Sequence, residues 1–222
     1  GTGYRVKSSS AAAFSALAAP AASMKGVSNE STNTDKMRAH ALKAKTVDGL
    51  RHEDVDLMVC TDLIDQAQTC VLNGNPAKAT LLEVLAANPD DKALSSDADP
   101  QMLVKVVFKE KVNLSSISVR FPTPPAAEED ETYAKPRLLK FFCNHEDLDF
   151  SDIEEIPATA EKIVEEDADE AKLPCIGHKF QRLSSIQILV EEAMDPEATR
   201  SFVNRISLIG HQAQSYHADY SK

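Results

Sequence analysis

Cysteine pairs, nucleotide-type glycine motifs and long apolar runs are all missing from this sequence, and each absence removes a class of protein. The four cysteines, Cys60, Cys70, Cys143 and Cys175, are scattered and show no CxxC spacing. Neither a zinc site nor a thioredoxin-type redox pair can be built that way, so they are expected to be reduced, mostly buried thiols. Glycine is scarce, with seven in 222 residues and neither GxGxxG nor GxxxxGK[ST] among them, which argues against a backbone cradle for nucleotide phosphates. GxSxG is absent too, leaving no strained elbow to hold a serine nucleophile. No run approaches the ~20 apolar residues that span a bilayer, so no membrane span is expected. Positive charge is in deficit, 24 Lys+Arg against 35 Asp+Glu for a formal net charge of −11. Without a basic cluster interleaved with aromatics, nucleic acid is not an expected partner.

Acidic residues are missing from the start of the chain. Glu30 is the first, and Arg5, Lys7 and Lys25 are the only charged side chains before it. An Ala/Ser-rich, basic, acid-free stretch fits an organellar transit sequence. It fits equally a flexible linker from a preceding domain. Gly1 rather than Met opens the chain, as expected of a processed product or a fragment of something longer. Residues 1–46 carry too little apolar surface to fold alone. They are read as an irregular or partly helical arm, with a short helix over about residues 35–50 stopped by Gly49.

What is present from there on is β texture. In "DVDLMVCTDLIDQAQTCVLN" Leu57, Leu63 and Ile64 are anchors, and Asn73-Gly74 closes the unit as a turn. "NPAKATLLEVLAANPD" reads as a short apolar turn or helix. After Pro100, "QMLVKVVFKE" alternates, with Met102, Val104, Val106 and Phe108 on one face and Leu103, Lys105, Val107 and Lys109 on the other; period two predicts a strand. "VNLSSISVRF" predicts a second strand, ended by the proline-rich acidic loop "PTPPAAEEDET", which cannot sit inside a sheet. "PRLLKFFCN" is the next. "KIVEEDADEAKLP" holds a short strand and a hairpin-like acidic tip, "HKFQRLSSIQILVEE" two strands or one long bent one, and "RSFVNRISLIGHQA" a last strand stopping at Gly210. Many short strands with almost no helical period between them predict an all-β antiparallel sandwich or jelly roll. Val104, Val106, Ile117, Leu139, Phe141, Ile186, Ile188 and Ile206 are its predicted core.

Chemistry-bearing groups are few. His145, Glu146, Asp147 and Asp149 are adjacent hard ligands in a loop, but the EF-hand spacing is missing, and any loop leaving an interior strand must be polar. They are read as turn carboxylates, with Phe150 and Ile153 pinning the loop onto the sandwich. His211 and His217 follow no known metal-site spacing. The tip Glu165–Glu170 and the loop Glu128–Glu131 lie in predicted connections, where β scaffolds display binding surfaces. Candidate protein-binding residues are therefore Glu128, Glu129, Asp130, Glu131, Asp147, Asp149, Glu165, Glu166 and Asp167. Glycoside hydrolysis would need paired carboxylates on facing strands, whereas those seen here lie in loops. No catalytic, cofactor-binding or metal-binding residue is assigned, and no small-molecule substrate is expected.

The order of these segments, "DLMVCTDLIDQAQTCVLN", "DADPQMLVKVVFKEKVNLSSISVRFP", "KPRLLKFFCNHEDLDFSDIEE", "HKFQRLSSIQILVEE" and "TRSFVNRISLIGHQ", resembles the PITH domain. The likeness rests on the leading Asp-Leu, the Cys70-x-Leu72-Asn73 close, Leu148-Asp149-Phe150 after the middle strand and Ile209-Gly210 after the last. It implies a jelly-roll β-sandwich, galactose-binding-like, over residues 47–214; the arm at 1–46, unlike the start of family members, and a tail at 215–222 lie outside it. It also implies a non-catalytic protein-interaction module that docks on a large assembly, the proteasome regulatory particle, in the cytoplasm or the nucleus. No thioredoxin CxxC is present, so a redox role does not carry over. The acid-free arm supports an alternative, a structural accessory subunit of another complex, in an organelle, whose arm contacts its neighbours.

Overall fold

A computed structural model describes residues 54–60, 62–85, 92–127, 130–145 and 147–213. The predicted arm helix, the tail, Glu128, Glu129, Glu146 and His217 lie outside the described residues. In chain order the strands are β1 (Val55–Asp56), β2 (Cys70–Leu72), β3 (Gly74–Asn75), β4 (Leu94–Ser96), β5 (Met102–Arg120), β6 (Tyr133–Ala134), β7 (Pro136–Cys143), β8 (Ala160–Ile163), β9 (Glu170–Pro174), β10 (Leu183–Ala193), β11 (Arg200–Val203) and β12 (Arg205–Gln212).

The two segments read as separate strands after Pro100 are one, β5, and it belongs to both layers of the sandwich. Its first half pairs antiparallel with β2 and β10, and beyond β10 the layer continues to β7 and β8. Its second half pairs with β12 and β9, with β1 beyond β12. Between the halves the register with β10 jumps from Ser185↔Val107 to Leu183↔Val112, so Phe108–Lys111 leaves the ladder with β10, buried Phe108 bridging instead to Ile64. Lys109, Glu110 and Lys111 are exposed there. Expelled residues bend a strand, which is how one strand turns the corner between two sheets.

A second irregularity inverts the side-chain parity of β5. Ile209 pairs with Ser116 but Gly210 with Leu114, so Ser115 is extra. The buried positions accordingly change from Val112 and Leu114 to Ile117 and Val119. Gly210 lies inside β12 at this bulge and does not end the strand as expected. A Cβ built on it would stand 2.0 Å from the Asn113 carbonyl oxygen, so the close approach of the two backbones requires glycine.

All eight predicted core residues are buried, and all belong to one cluster shared by both layers. The chain is thus an all-β jelly-roll sandwich. The tip after β8 is not a hairpin, because β8 pairs with β7 and β9 with β5; residues 164–169 cross from one layer to the other. His178 lies in a 3₁₀ turn (His178–Phe180) before β10, not at the start of a strand. A small sheet, β3-β4-β11-β6, carries one parallel pair, β11 with β6. Beside it the short helix Leu81–Leu85 is held by a capping box. There the Thr80 amide donates to Glu83 Oε2 at 2.8 Å and the Glu83 amide to Thr80 Oγ1 at 3.4 Å.

Candidate functional site

The predicted acidic residues that the structure describes separate to the two ends of β7. At the Pro136 end, the crossover 164–169 is fastened to the strands. The Phe121 amide donates to the Asp169 carbonyl at 2.9 Å. Lys135 Nζ donates to the Ala168 carbonyl at 2.8 Å and stands 3.6 Å from Asp169 Oδ1. This leaves Glu165, Glu166 and Asp167 exposed. Beside them opens a groove of about 620 Å³. Phe121, Phe202 and Ala134 form its buried floor, and Pro122, Pro124, Tyr133, Met194 and Pro196 its walls, with Glu166, Asp169 and Asp195 along it.

Glu131 points inward from the neighbouring loop. Its Oε2 accepts from the Tyr133 hydroxyl at 2.7 Å and lies 3.5 Å from Lys78 Nζ. Burial, and then the Glu131 carboxylate, push the Tyr133 phenol above its ordinary value. Asp130 is exposed with φ +72°, a left-handed conformation that aspartate tolerates in turns.

At the Cys143 end, about 25 Å along the strand at ~3.3 Å per residue, Asp147 and Asp149 have different surroundings. Asp147 pairs with Lys105 of β5. Asp149 and Asp152 exchange bonds, each carboxylate accepting the other's amide at 3.0 Å. Asp149 Oδ1 also accepts from the Ser151 hydroxyl at 2.6 Å; the Ser151 hydroxyl and then the backbone amides hold its carboxyl below the usual range. This reciprocal box starts the short helix Asp152–Glu155. The loop roofs the outer face of the sandwich, where Phe150, Ile153, Ile156 and Ala158 pack on Leu103, Phe142, Leu148 and Leu189. Phe150 and Ile153 therefore do pin the loop. The His145 carbonyl accepts from Ser185 Oγ and Gln187 Nε2, and its ring meets Phe142 edge-on at 6.4 Å. Among the described residues, no three His, Cys, Asp or Glu are grouped to hold a metal.

His211, read as lying after the last strand, is inside β12. Asn113 Oδ1 accepts from the Arg182 amide at 2.8 Å, so its Nδ2 faces His211 Nε2 at 3.1 Å and makes that nitrogen the acceptor. Nδ1 then donates to Asp54 Oδ1 at 2.9 Å, while Asp54 Oδ2 accepts from Ser115 Oγ at 2.6 Å. Aspartate sits between serine and histidine, so among the described residues this serine has no imidazole base, in contrast to the order a nucleophilic triad needs.

The prediction of mostly buried thiols holds for Cys60. Cys143 and Cys175 are half-buried and Cys70 is exposed, and none of the four is in a disulfide. Among the described residues, no helix is long and apolar enough to cross a membrane.

The sequence matches the PITH domain over residues 53–221. The chain belongs to the PITH family. A relative, thioredoxin-like protein 1 of Schizosaccharomyces pombe, is 32% identical over 121 residues, which cover 53% of this chain and 39% of that protein. Among solved structures, Saccharomyces cerevisiae allantoicase is similar with a TM-score of 0.45 and 12% identity, over 71% of this chain and 43% of that one. A Streptococcus pneumoniae fucose binding module is similar with a TM-score of 0.43 and 10% identity, over 64% and 90%. Sequence reasoning missed the groove of this PITH domain, although its walls carry a legible signal. Both "FPTPP" and "MDPE" are proline-bearing segments at strand ends, where loops are exposed and rigid.

Proposed function

We propose that this PITH domain is a non-catalytic protein-interaction module that docks on a large protein assembly, with the proteasome regulatory particle as the candidate the family implies. The observation that carries the reading is convergence. Segments 121–124, 133–135, 166–169 and 194–196, far apart in sequence, meet in one open groove at one end of the sandwich. A rigid scaffold with an apolar recess among exposed polar loops is the usual make-up of a recognition surface. Glu165, Glu166 and Asp167 belong to this docking end, whereas Asp147 and Asp149 are engaged in contacts within the domain. Four cysteines outside any disulfide fit a reducing compartment such as the cytoplasm. Affinity purification of the full-length protein from its own cells, followed by mass spectrometry, tests the reading. Regulatory-particle subunits in near-constant proportion to the bait are expected. Their absence, or recovery of subunits of a different complex, would overturn it.

A further inference from the structure

We infer that the groove at the Pro136 end of the sandwich takes a basic peptide segment with an apolar side chain at its centre, presented by the docked protein. The inference rests on the docking reading and adds the chemistry of the partner. Its first support is the floor. Phe121 and Phe202 are 1% and 4% exposed, so their rings close the bottom without filling the recess, and Met194 and Tyr133 line it half-buried. Pro122, Pro124 and Pro196 offer no backbone N–H, so those walls favour an apolar side chain over a polar one. Buried apolar anchors of this kind carry most of the affinity of protein interfaces.

The second support is the charge around that floor. Glu166, Asp169 and Asp195 line the groove, and among the described residues its lining holds a single cation, Lys135. Its ammonium is already directed at the Ala168 carbonyl and Asp169. Asp169 remains 66% exposed, and Glu165 and Asp167 stand exposed on the same tip. An acidic or phosphorylated segment would be repelled, whereas guanidinium or ammonium groups beside the anchor meet exposed carboxylates. Arginine gains most, because its fork matches a carboxylate bidentately.

The test uses the full chain and three synthetic peptides: a central leucine flanked by two arginines on each side, the same peptide with glutamates for arginines, and the same with serine for leucine. Fluorescence anisotropy gives affinities, and amide shifts of the labelled protein give location. The arginine–leucine peptide is expected to bind at least about tenfold tighter than the other two, weaken with salt, and move amides of Tyr133, Lys135 and Met194. Glu166→Gln with Asp169→Asn should weaken it about fivefold or more, while Glu154→Gln with Glu155→Gln, an equal change of charge on the Asp152–Glu155 helix, should not. Equal affinities, shifts confined elsewhere, or equal weakening by both pairs would overturn the inference. The purification repeated with Glu166→Lys and Asp169→Lys separates the two readings. Unchanged capture of the assembly removes the groove and leaves docking standing. Groove-mapped peptide binding with no assembly captured by the unmodified chain removes docking and leaves the groove.

Discussion

Phe141 and Phe142 are adjacent in β7 but face opposite sides, and replacing each with alanine should produce two different kinds of damage. Phe141 is 1% exposed and belongs to the core shared by both layers, with Ile188 and Ala160 opposite it on the neighbouring strands. Two packed sheets cannot collapse onto the space its ring leaves, so Phe141→Ala should cost about 3–5 kcal/mol. Against a total stability of about 5–15 kcal/mol that is a large fraction, equivalent to a fall of roughly 10 °C in Tm for a domain of this size. Phe142 is equally buried, but its cluster is roofed by the 148–158 loop. The roof can settle inward, so Phe142→Ala should cost less, about 2–3 kcal/mol, and much of the damage should be local. Urea denaturation followed by circular dichroism gives the two energies. Hydrogen exchange gives their reach: Phe141→Ala should accelerate the slowest amides of β5, β7 and β10, and Phe142→Ala chiefly the Ile153 and Ile156 amides, which bond to the Asp149 and Asp152 carbonyls. A loss below about 1 kcal/mol for Phe141→Ala, or the same set of accelerated amides in both variants, would refute the assignment of the two rings to opposite faces.

Gly210→Ala places a methyl group against the Asn113 carbonyl oxygen, so β12 must move off β5 and stability should fall by about 1–3 kcal/mol; an unchanged Tm would contradict the close approach. In the native protein at pH 7.5, Ellman's reagent should titrate one thiol quickly, exposed Cys70, because Cys60 is buried and burial pushes Cys143 up to about 11 and Cys175 up to about 12. Three more should react only in denaturant, and a second fast thiol would sink this. The Glu83 carboxyl is lowered from 4.5 to about 2 by its hydrogen bond with Lys92 and then by the Thr80 amide and hydroxyl. A depressed carboxylate stabilises the fold above its unfolded value, so Glu83's contribution is fully present above about pH 4.5 and lost as the pH falls towards 2. A carboxyl-carbon NMR titration should show a midpoint near 2 that rises in Lys92→Met, and a midpoint near 4.5 in the unmodified chain would disprove it.

Alternation at Met102–Phe108 determines a strand with a buried face by itself, because the side-chain period depends only on neighbouring residues. The same local logic makes the eight core positions and the polar loop after β7 readable: a loop leaving an interior strand must be polar, and Phe150 and Ile153 are among the side chains in it that return to the sheet. The order of segments was enough to suggest the PITH family. What only the tertiary structure decided is long-range. Lys109–Lys111 looks like a break between strands, yet pairing with β10 before it and β12 after it makes one strand of both halves. The spacing of residues 160–174 suits a hairpin, but each arm finds its partner in a different layer. The acidic residues look alike along the chain, and the fold alone separates Glu166, on an apolar groove, from Asp147, tied to Lys105. Strand partners and groove walls are chosen by contacts between residues tens of positions apart, which compete through the burial of a common core, and no window of neighbouring residues contains that competition.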